Sequence, residues 1–264
     1  MATDFNSQYV NANLSKDATP YDSEIFAGWA ARLQQALQSY TPGLSYGILT
    51  AMLCAQRRGD AAGPLFDDAL KAEGEERVLG LFSVVRESVT VALGFVGLPN
   101  TMPANFGLIA QLKKRNIAEV PLKPRAGFQE ADYGELGNAT LKRVYRGVGN
   151  PEVAQMVAQY LPDLAYLGTT AIFGYAMGAC NTLPLKECEI VVTSAIIALG
   201  ALRQARSHGK ASMQLGIAPA LLETIDTIAH EVAQWNQNPL SEKLDVPQLV
   251  KELDAELAEL ESTG

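Results

Sequence analysis

The chain has 264 residues, of which 48% are apolar and 19% are charged. This balance is typical of a globular protein with a buried core, and it excludes wholesale disorder. The 21 basic and 29 acidic residues give a net charge of −8, and the basic residues form no stripe. The composition therefore argues against nucleic acid or a membrane surface as a partner.

Rare residue types narrow the chemistry further. Two histidines exclude a histidine-rich metal cage, so we expect neither a metal nor another cofactor. The three cysteines are widely spread and contain no CxxC pair, which favours a reducing, cytoplasmic location. The polar N-terminus lacks the features of a secretory signal. Residues 164–185 carry no charge but are interrupted by glycines, so we expect buried core there rather than a membrane span.

Helical periodicity runs along the chain, and no segment alternates convincingly like a strand. In chain order, the predicted helices span residues 23–39, 44–56, 64–72, 75–96, 99–114, 138–146, 150–161, 164–180, 185–199, 203–215, 219–234 and a last helix from Asp245. Residues 117–137 are rich in proline and glycine and are predicted to form a loop. The last helix carries a leucine stripe that indicates either docking on the core or a subunit contact. The sequence therefore predicts an all-α fold.

An internal repeat organises these helices. Residues 190–216 align under residues 48–74 without a gap, and each copy holds an apolar helix, a glycine break, a short helix and a closing glycine. A long helix follows each copy. We therefore divide the chain into a polar N-terminal segment, a degenerate first repeat, a second repeat with the site, and a C-terminal amphipathic helix: residues 1–22, 23–137, 138–240 and 241–264.

The candidate catalytic pair is Glu189 and His208. Glu189 lies 11 residues before Gly200 and His208 lies 8 residues after it, so a helical hairpin brings them to similar height. A carboxylate in an apolar helix is costly to bury unpaired, and an oriented imidazole serves as a general acid or base. Gln204 lies one turn before His208 on the same face. A structural hydrogen bond is the alternative interpretation, because the first repeat has apolar or small residues at these three positions: Gly47, Phe66 and Ala62.

Other candidates are weaker. Tyr175 lies in a glycine-rich run and is a candidate pocket residue. His230 lies in a long predicted helix beside Glu231, and we expect a solvated or capping role for it. Cys54 and Cys188 are expected to be core residues, whereas the position of Cys180 at the end of the glycine-rich run leaves its role open.

Three stretches resemble the carboxymuconolactone decarboxylase and alkylhydroperoxidase-D-like superfamily. Residues 187–237 are similar to its block of an apolar helix, a short helix ending in histidine and a small residue, a glycine turn and an acidic helix. Residues 161–183 resemble the segment that precedes this block in the decarboxylase branch. Residues 95–99, Phe-Val-Gly-Leu-Pro, resemble the turn that follows the block in many members.

The resemblance implies a duplicated all-α bundle that assembles into rings, with two-block members forming trimers. Glu189 and His208 match the carboxylate and histidine of the alkylhydroperoxidase relay. The CxxC pair of that relay would fall at Ala201 and Gln204, so its dithiol chemistry is absent at this site. The decarboxylase branch keeps the histidine without the cysteines, although Met177 replaces an aromatic residue expected there.

The leading hypothesis is a cofactor-free decarboxylase or isomerase of a small lactone or carboxylated carbonyl compound. His208 would move the proton, Glu189 would orient the His208 imidazole, and Gln204 would bind the developing enolate. Tyr175 and Arg206 are further substrate-binding candidates, Arg206 only across a subunit boundary. The alternatives are an alkylhydroperoxidase-like antioxidant enzyme that uses Cys180 or Cys188, and a non-catalytic oligomeric assembly protein.

Overall fold

Every regular element in the described residues, 4–121 and 124–263 of the computed structural model, is a helix. The α-helices are α1 (Ser23–Ala36), α2 (Leu44–Ala55), α3 (Ala62–Glu73), α4 (Val78–Val96), α5 (Leu98–Lys114), α6 (Tyr133–Val144), α7 (Pro151–Tyr160), α8 (Pro162–Leu167), α9 (Leu185–Ala198), α10 (Leu202–Gln214), α11 (Pro219–Trp235) and α12 (Val246–Thr263). A short π-helix (Asn6–Val10) precedes α1, and a long π-helix (Gly168–Gly178) follows α8. The all-α prediction is therefore correct.

The predicted helix bounds fail mainly between residues 117 and 180. α6 begins at Tyr133, inside the predicted loop, because the Asp132 side chain caps it by accepting the Glu135 N–H at 2.9 Å. Helix α6 contains Gly134 and Gly137, two residues of the predicted loop. The predicted helix 164–180 is an α-helix continued by a π-helix.

The core is built around α2 and α9, which pack against each other at the centre of the molecule. Every residue of α2 is buried, as is every residue of α9 from Glu187 onward. One apolar cluster runs through both predicted repeats. By contrast, residues 164–185 are not the buried core that their composition suggests, since Leu164, Tyr166 and Leu167 are each more than half exposed.

The helix bounds of the two halves correspond at the predicted offset. Helices α2, α3 and α4 of the first half follow each other at nearly the same spacing as α9, α10 and α11 of the second half. A close helix approach marks the first copy: a Cβ at Gly47 would overlap the Ser88 hydroxyl of α4. Common bounds support a duplication, which stays a prediction, as does its relation to the alkylhydroperoxidase-D-like bundle.

Two peripheral segments dock on this core. Helix α12 buries Leu249 and Leu253, which is the docked arrangement of the two proposed for its leucine stripe. The N-terminal π-helix packs on α5, where Phe5 and Tyr9 contact the ring of Phe106. Among the described residues, one helical stretch, Glu75–Val96, is apolar and long enough to cross a membrane, but half of its most apolar part is buried, as in a core helix.

Candidate functional site

The hairpin of α9 and α10 brings Glu189 and His208 together. His208 Nδ1 lies 2.7 Å from Glu189 Oε1, which is a hydrogen-bond distance. Glu189 is fully buried and His208 is 5% exposed. One turn after Glu189, the Thr193 hydroxyl lies 2.9 Å from Ser212 Oγ and 3.2 Å from the His208 carbonyl oxygen. This buried hydroxyl contact fixes the register of the two helices, and with it the height at which the carboxylate meets the imidazole.

Tyr145 completes the site from a third element. Its hydroxyl lies 3.1 Å from His208 Nε2, so a hydrogen-bond chain runs from Tyr145 through His208 to Glu189. Tyr145 is the C-cap of α6. The Gln214 side chain at the end of α10 holds this corner, because it accepts the Gly147 N–H at 2.7 Å and donates to the Arg143 carbonyl at 2.9 Å. α10 thus positions both the imidazole and the tyrosine that covers it.

Aromatic rings surround the Tyr145 end of this hydrogen-bond chain, which is the end that faces solvent. Phe95, at the end of α4, meets the His208 ring edge-on with centroids 5.4 Å apart. Phe173, on the long π-helix, lies 6.0 Å from the Tyr145 ring. Tyr145, Phe95 and Phe173 are all partly exposed, whereas the Glu189 and His208 pair behind them is buried. Of the three polar groups in the hydrogen-bond chain, Tyr145 therefore lies nearest to solvent.

Burial sets the electrostatics of this site. Desolvation raises the pKa of Glu189, and the neighbouring His208 opposes that rise. Desolvation also raises the pKa of the Tyr145 phenol, and the Glu189 carboxylate adds to the increase. Tyr145 is therefore a protonated phenol at neutral pH. Among the described residues, Glu189 Oε2 is a buried oxygen without a hydrogen-bond partner.

The remaining predicted site residues lie elsewhere. Gln204 is exposed on α10, and Arg206 pairs with Glu252 of α12 at 2.7 Å. Tyr175 stacks on Phe128 with ring centroids 4.9 Å apart and contacts the Arg125 guanidinium. The structure therefore joins Glu189 to His208 and adds none of the three predicted substrate-binding residues to them.

The contacts of His230 and Cys54 are those of structural rather than catalytic residues. His230 Nε2 lies 3.8 Å from Asp226 Oδ1, one turn earlier on α11. Cys54 is fully buried in α2, and desolvation raises the pKa of its thiol to about 12, so it is an unreactive core residue. Among the described residues, no group of three or more His, Cys, Asp and Glu side chains is arranged to hold a metal ion.

Tyr145 and the aromatic rings around His208 are functional candidates that the sequence pattern did not predict. Tyr145 lies 63 residues before His208 and has no motif of its own. Phe95 and Phe173 fall within the stretches that carry the family resemblance, but nothing in their spacing connects them to the imidazole. The Asp132 cap is a local signal for where α6 begins, but the predicted helix 138–146 already contained Tyr145 without connecting it to His208.

The fold and the site together define an all-α protein with a buried carboxylate–imidazole pair covered by a tyrosine. Comparison with models of known protein families finds no family that matches this chain. Comparison with curated proteins likewise finds no match.

Proposed function

We propose that this protein is a cofactor-free enzyme that decarboxylates or isomerises a small lactone or carboxylated carbonyl compound by proton transfer. The supporting observation is the continuous hydrogen-bond chain from Tyr145 through His208 Nε2 and Nδ1 to Glu189. A carboxylate that orients an imidazole, which in turn contacts a hydroxyl, is a recurring arrangement for moving protons in enzymes.

The order of groups along the chain assigns their roles. Glu189 Oε1 accepts a hydrogen bond from His208 Nδ1–H, which fixes the imidazole tautomer and orientation. Nε2 is then free to accept a proton from the Tyr145 hydroxyl or to return one. When carbon dioxide leaves the substrate, the electron pair of the broken bond forms an enolate, and the carbon that carried the carboxylate must take up a proton. Tyr145 donates that proton to the carbon, and a proton taken from water and relayed through His208 Nε2 restores the phenol, so that one proton is consumed for each carbon dioxide released.

This proposal is tested by incubating the full chain with small lactones and carboxylated enols and identifying the products by mass spectrometry. We expect His208→Ala to lower turnover on the order of 10²–10⁴-fold while the far-ultraviolet circular dichroism stays unchanged. Loss of carbon dioxide identifies a decarboxylase, and a product of unchanged mass identifies an isomerase. Equal turnover by the folded variant would contradict the role of His208.

Tyr145→Phe separates two ways in which the tyrosine contributes. The variant keeps the ring that packs beside Phe173 but removes the hydroxyl that contacts Nε2. If Tyr145 donates the proton, the variant loses about as much activity as His208→Ala. If the tyrosine only covers His208, the variant retains activity. Tyr160→Phe, on an exposed side chain of α7, is the matched control.

A second candidate function is non-catalytic assembly, with Glu189 and His208 as a structural pair. The closed packing favours it, because both ring nitrogens of His208 have partners and the ring is almost fully buried. In this case no compound is turned over, and His208→Ala lowers the free energy of unfolding rather than an activity.

The same proposal includes a homo-oligomer, with a trimer favoured, and a cytoplasmic location. Exposed apolar side chains on α7 and α8 support the oligomer. The three free thiols support a reducing compartment.

A further inference from the structure

Two cysteines that the proposed function does not use meet at the junction of the long π-helix and α9. Cys180 lies two residues beyond the π-helix, and Cys188 lies in the first turn of α9. The Leu183 N–H donates to Cys180 Sγ at 3.3 Å, and the Cys188 thiol donates to the Leu183 carbonyl oxygen at 3.6 Å. Both are free thiols, and the two sulfurs flank the backbone of a single residue.

The two thiols differ in exposure and in acidity. Cys180 is partly exposed and Cys188 is fully buried. The adjacent Cys188 thiol lowers the pKa of Cys180 against the effects of burial and the Glu87 carboxylate, and the N–H groups of Leu183 and Thr182 lower it further. Contact with Cys180 and burial both raise the pKa of Cys188 well above its ordinary value. Of the two thiols, the partly exposed Cys180 is therefore the more acidic and the buried Cys188 the less acidic.

A buried charge pair borders these sulfurs. Arg125 forms an ion pair with Glu87 of α4 and donates to the Ala176 carbonyl at 2.8 Å. The Arg125 side chain is 8% exposed, and its Nε is without a partner in the described part of the chain. This guanidinium acts on Cys188 in the direction that favours its thiolate, whereas Glu87 opposes it. Arg125 is thus placed to stabilise the charge that develops when Cys188 loses its proton.

We propose that Cys180 and Cys188 form a redox-active dithiol that exchanges with low-molecular-weight disulfides. The Cys180 thiolate attacks one sulfur of RS–SR, a mixed disulfide forms, and RS⁻ leaves and takes up a proton. Cys188 then loses its proton and attacks the Cys180 sulfur, so that the second RS⁻ leaves and is protonated in turn. The protein gives up two electrons and two protons, and RSSR becomes two RSH. This activity is independent of Tyr145, His208 and Glu189.

Reduced full-length protein with glutathione disulfide as the probe tests the exchange, with intact mass and peptide mapping as the readout. We expect the wild type to lose two hydrogen atoms and to yield a Cys180–Cys188 disulfide peptide. Cys188→Ser should stop at a glutathione adduct on Cys180, and Cys180→Ser should give neither product. Cys54→Ser is the matched control and should behave as the wild type, because Cys54 is fully buried and burial raises the pKa of its thiol.

Alkylation provides a measurement that needs no variant. Iodoacetamide at neutral pH should label Cys180 at least about tenfold faster than Cys188 or Cys54, since the thiolate is the reactive form. Equal labelling of Cys180 and Cys188, or a wild-type glutathione adduct that never resolves to the internal disulfide, would overturn the proposal. If Cys188→Ser fails to fold, the mapped wild-type disulfide still decides the question.

Discussion

At the scale of single residues, the Glu189 carboxylate is fully buried within the apolar helix α9. Its one described partner is His208, and its second oxygen has none among the described residues. A group of this kind costs stability when it is charged, and protonation relieves the cost. The direction of its pKa shift therefore makes a statement about stability as well as about catalysis.

Glu189→Gln should change the pH dependence of unfolding. Because desolvation raises the Glu189 pKa in the folded state, the unfolded chain loses this proton first as the pH rises above 4.5. The folded state then holds more protons than the unfolded state, so stability falls with rising pH through that interval. Relative to Glu189→Gln, the wild type should lose stability between pH 4.5 and the higher folded-state pKa, as measured by urea unfolding.

An exposed acidic residue supplies the control for that experiment. Glu242→Gln removes a carboxylate from the surface, so it measures the effect on stability of losing one negative charge that was never buried. A constant difference between wild type and Glu189→Gln at every pH would contradict the effect of burial on this carboxylate.

At the scale of secondary structure elements, glycines determine how α6 meets the long π-helix. A Cβ at Gly137 would overlap the Thr169 carbonyl oxygen, and a Cβ at Gly174 would overlap the Tyr133 carbonyl oxygen. The two backbones are therefore in direct contact, which only glycine allows at these positions. This contact holds α6 in place, and α6 ends in the tyrosine that covers His208.

Gly137→Ala should therefore destabilise the protein by about 1–3 kcal/mol, the usual cost of overpacking a tight contact. Gly28→Ala in α1 is the matched control, because a Cβ there has no neighbour within 4 Å. That substitution should leave stability unchanged or raise it by about 0.5–1 kcal/mol, since alanine is the better helix former. Chemical unfolding of both variants measures the difference, and equal stabilities would exclude the backbone contact.

At the scale of the whole molecule, α7 and α8 stand apart from the core. Neither has a buried side chain among those described, and the segment exposes Met156, Tyr160, Leu161, Leu164, Tyr166 and Leu167 by 45–72%. Its charged residues are the acidic Glu152 and Asp163, which do not favour an anionic membrane. Six large apolar side chains expose several hundred Å², about what one side of a stable protein interface requires.

A second copy of the chain is the partner that we propose for this surface. Light scattering should give an oligomeric mass for the wild type, and the double substitution Leu164→Glu with Leu167→Glu should lower it without loss of helical content. Ile25→Glu, which changes an exposed apolar residue of α1, is the control and should keep the wild-type mass. A monomeric wild type would reject the interface and the proposed trimer together.

Local sequence patterns were enough to predict the helical class, most helix bounds and the contact between Glu189 and His208. These follow from local periodicity and from the geometry of two consecutive helices, which short-range spacing fixes. The packing of distant segments was needed to show that Tyr145 covers His208, that Arg206 pairs with Glu252, and that the two cysteines flank Leu183. Such contacts depend on how distant helices pack, and on glycine approaches such as Gly137 on Thr169, which composition alone presents as a loop.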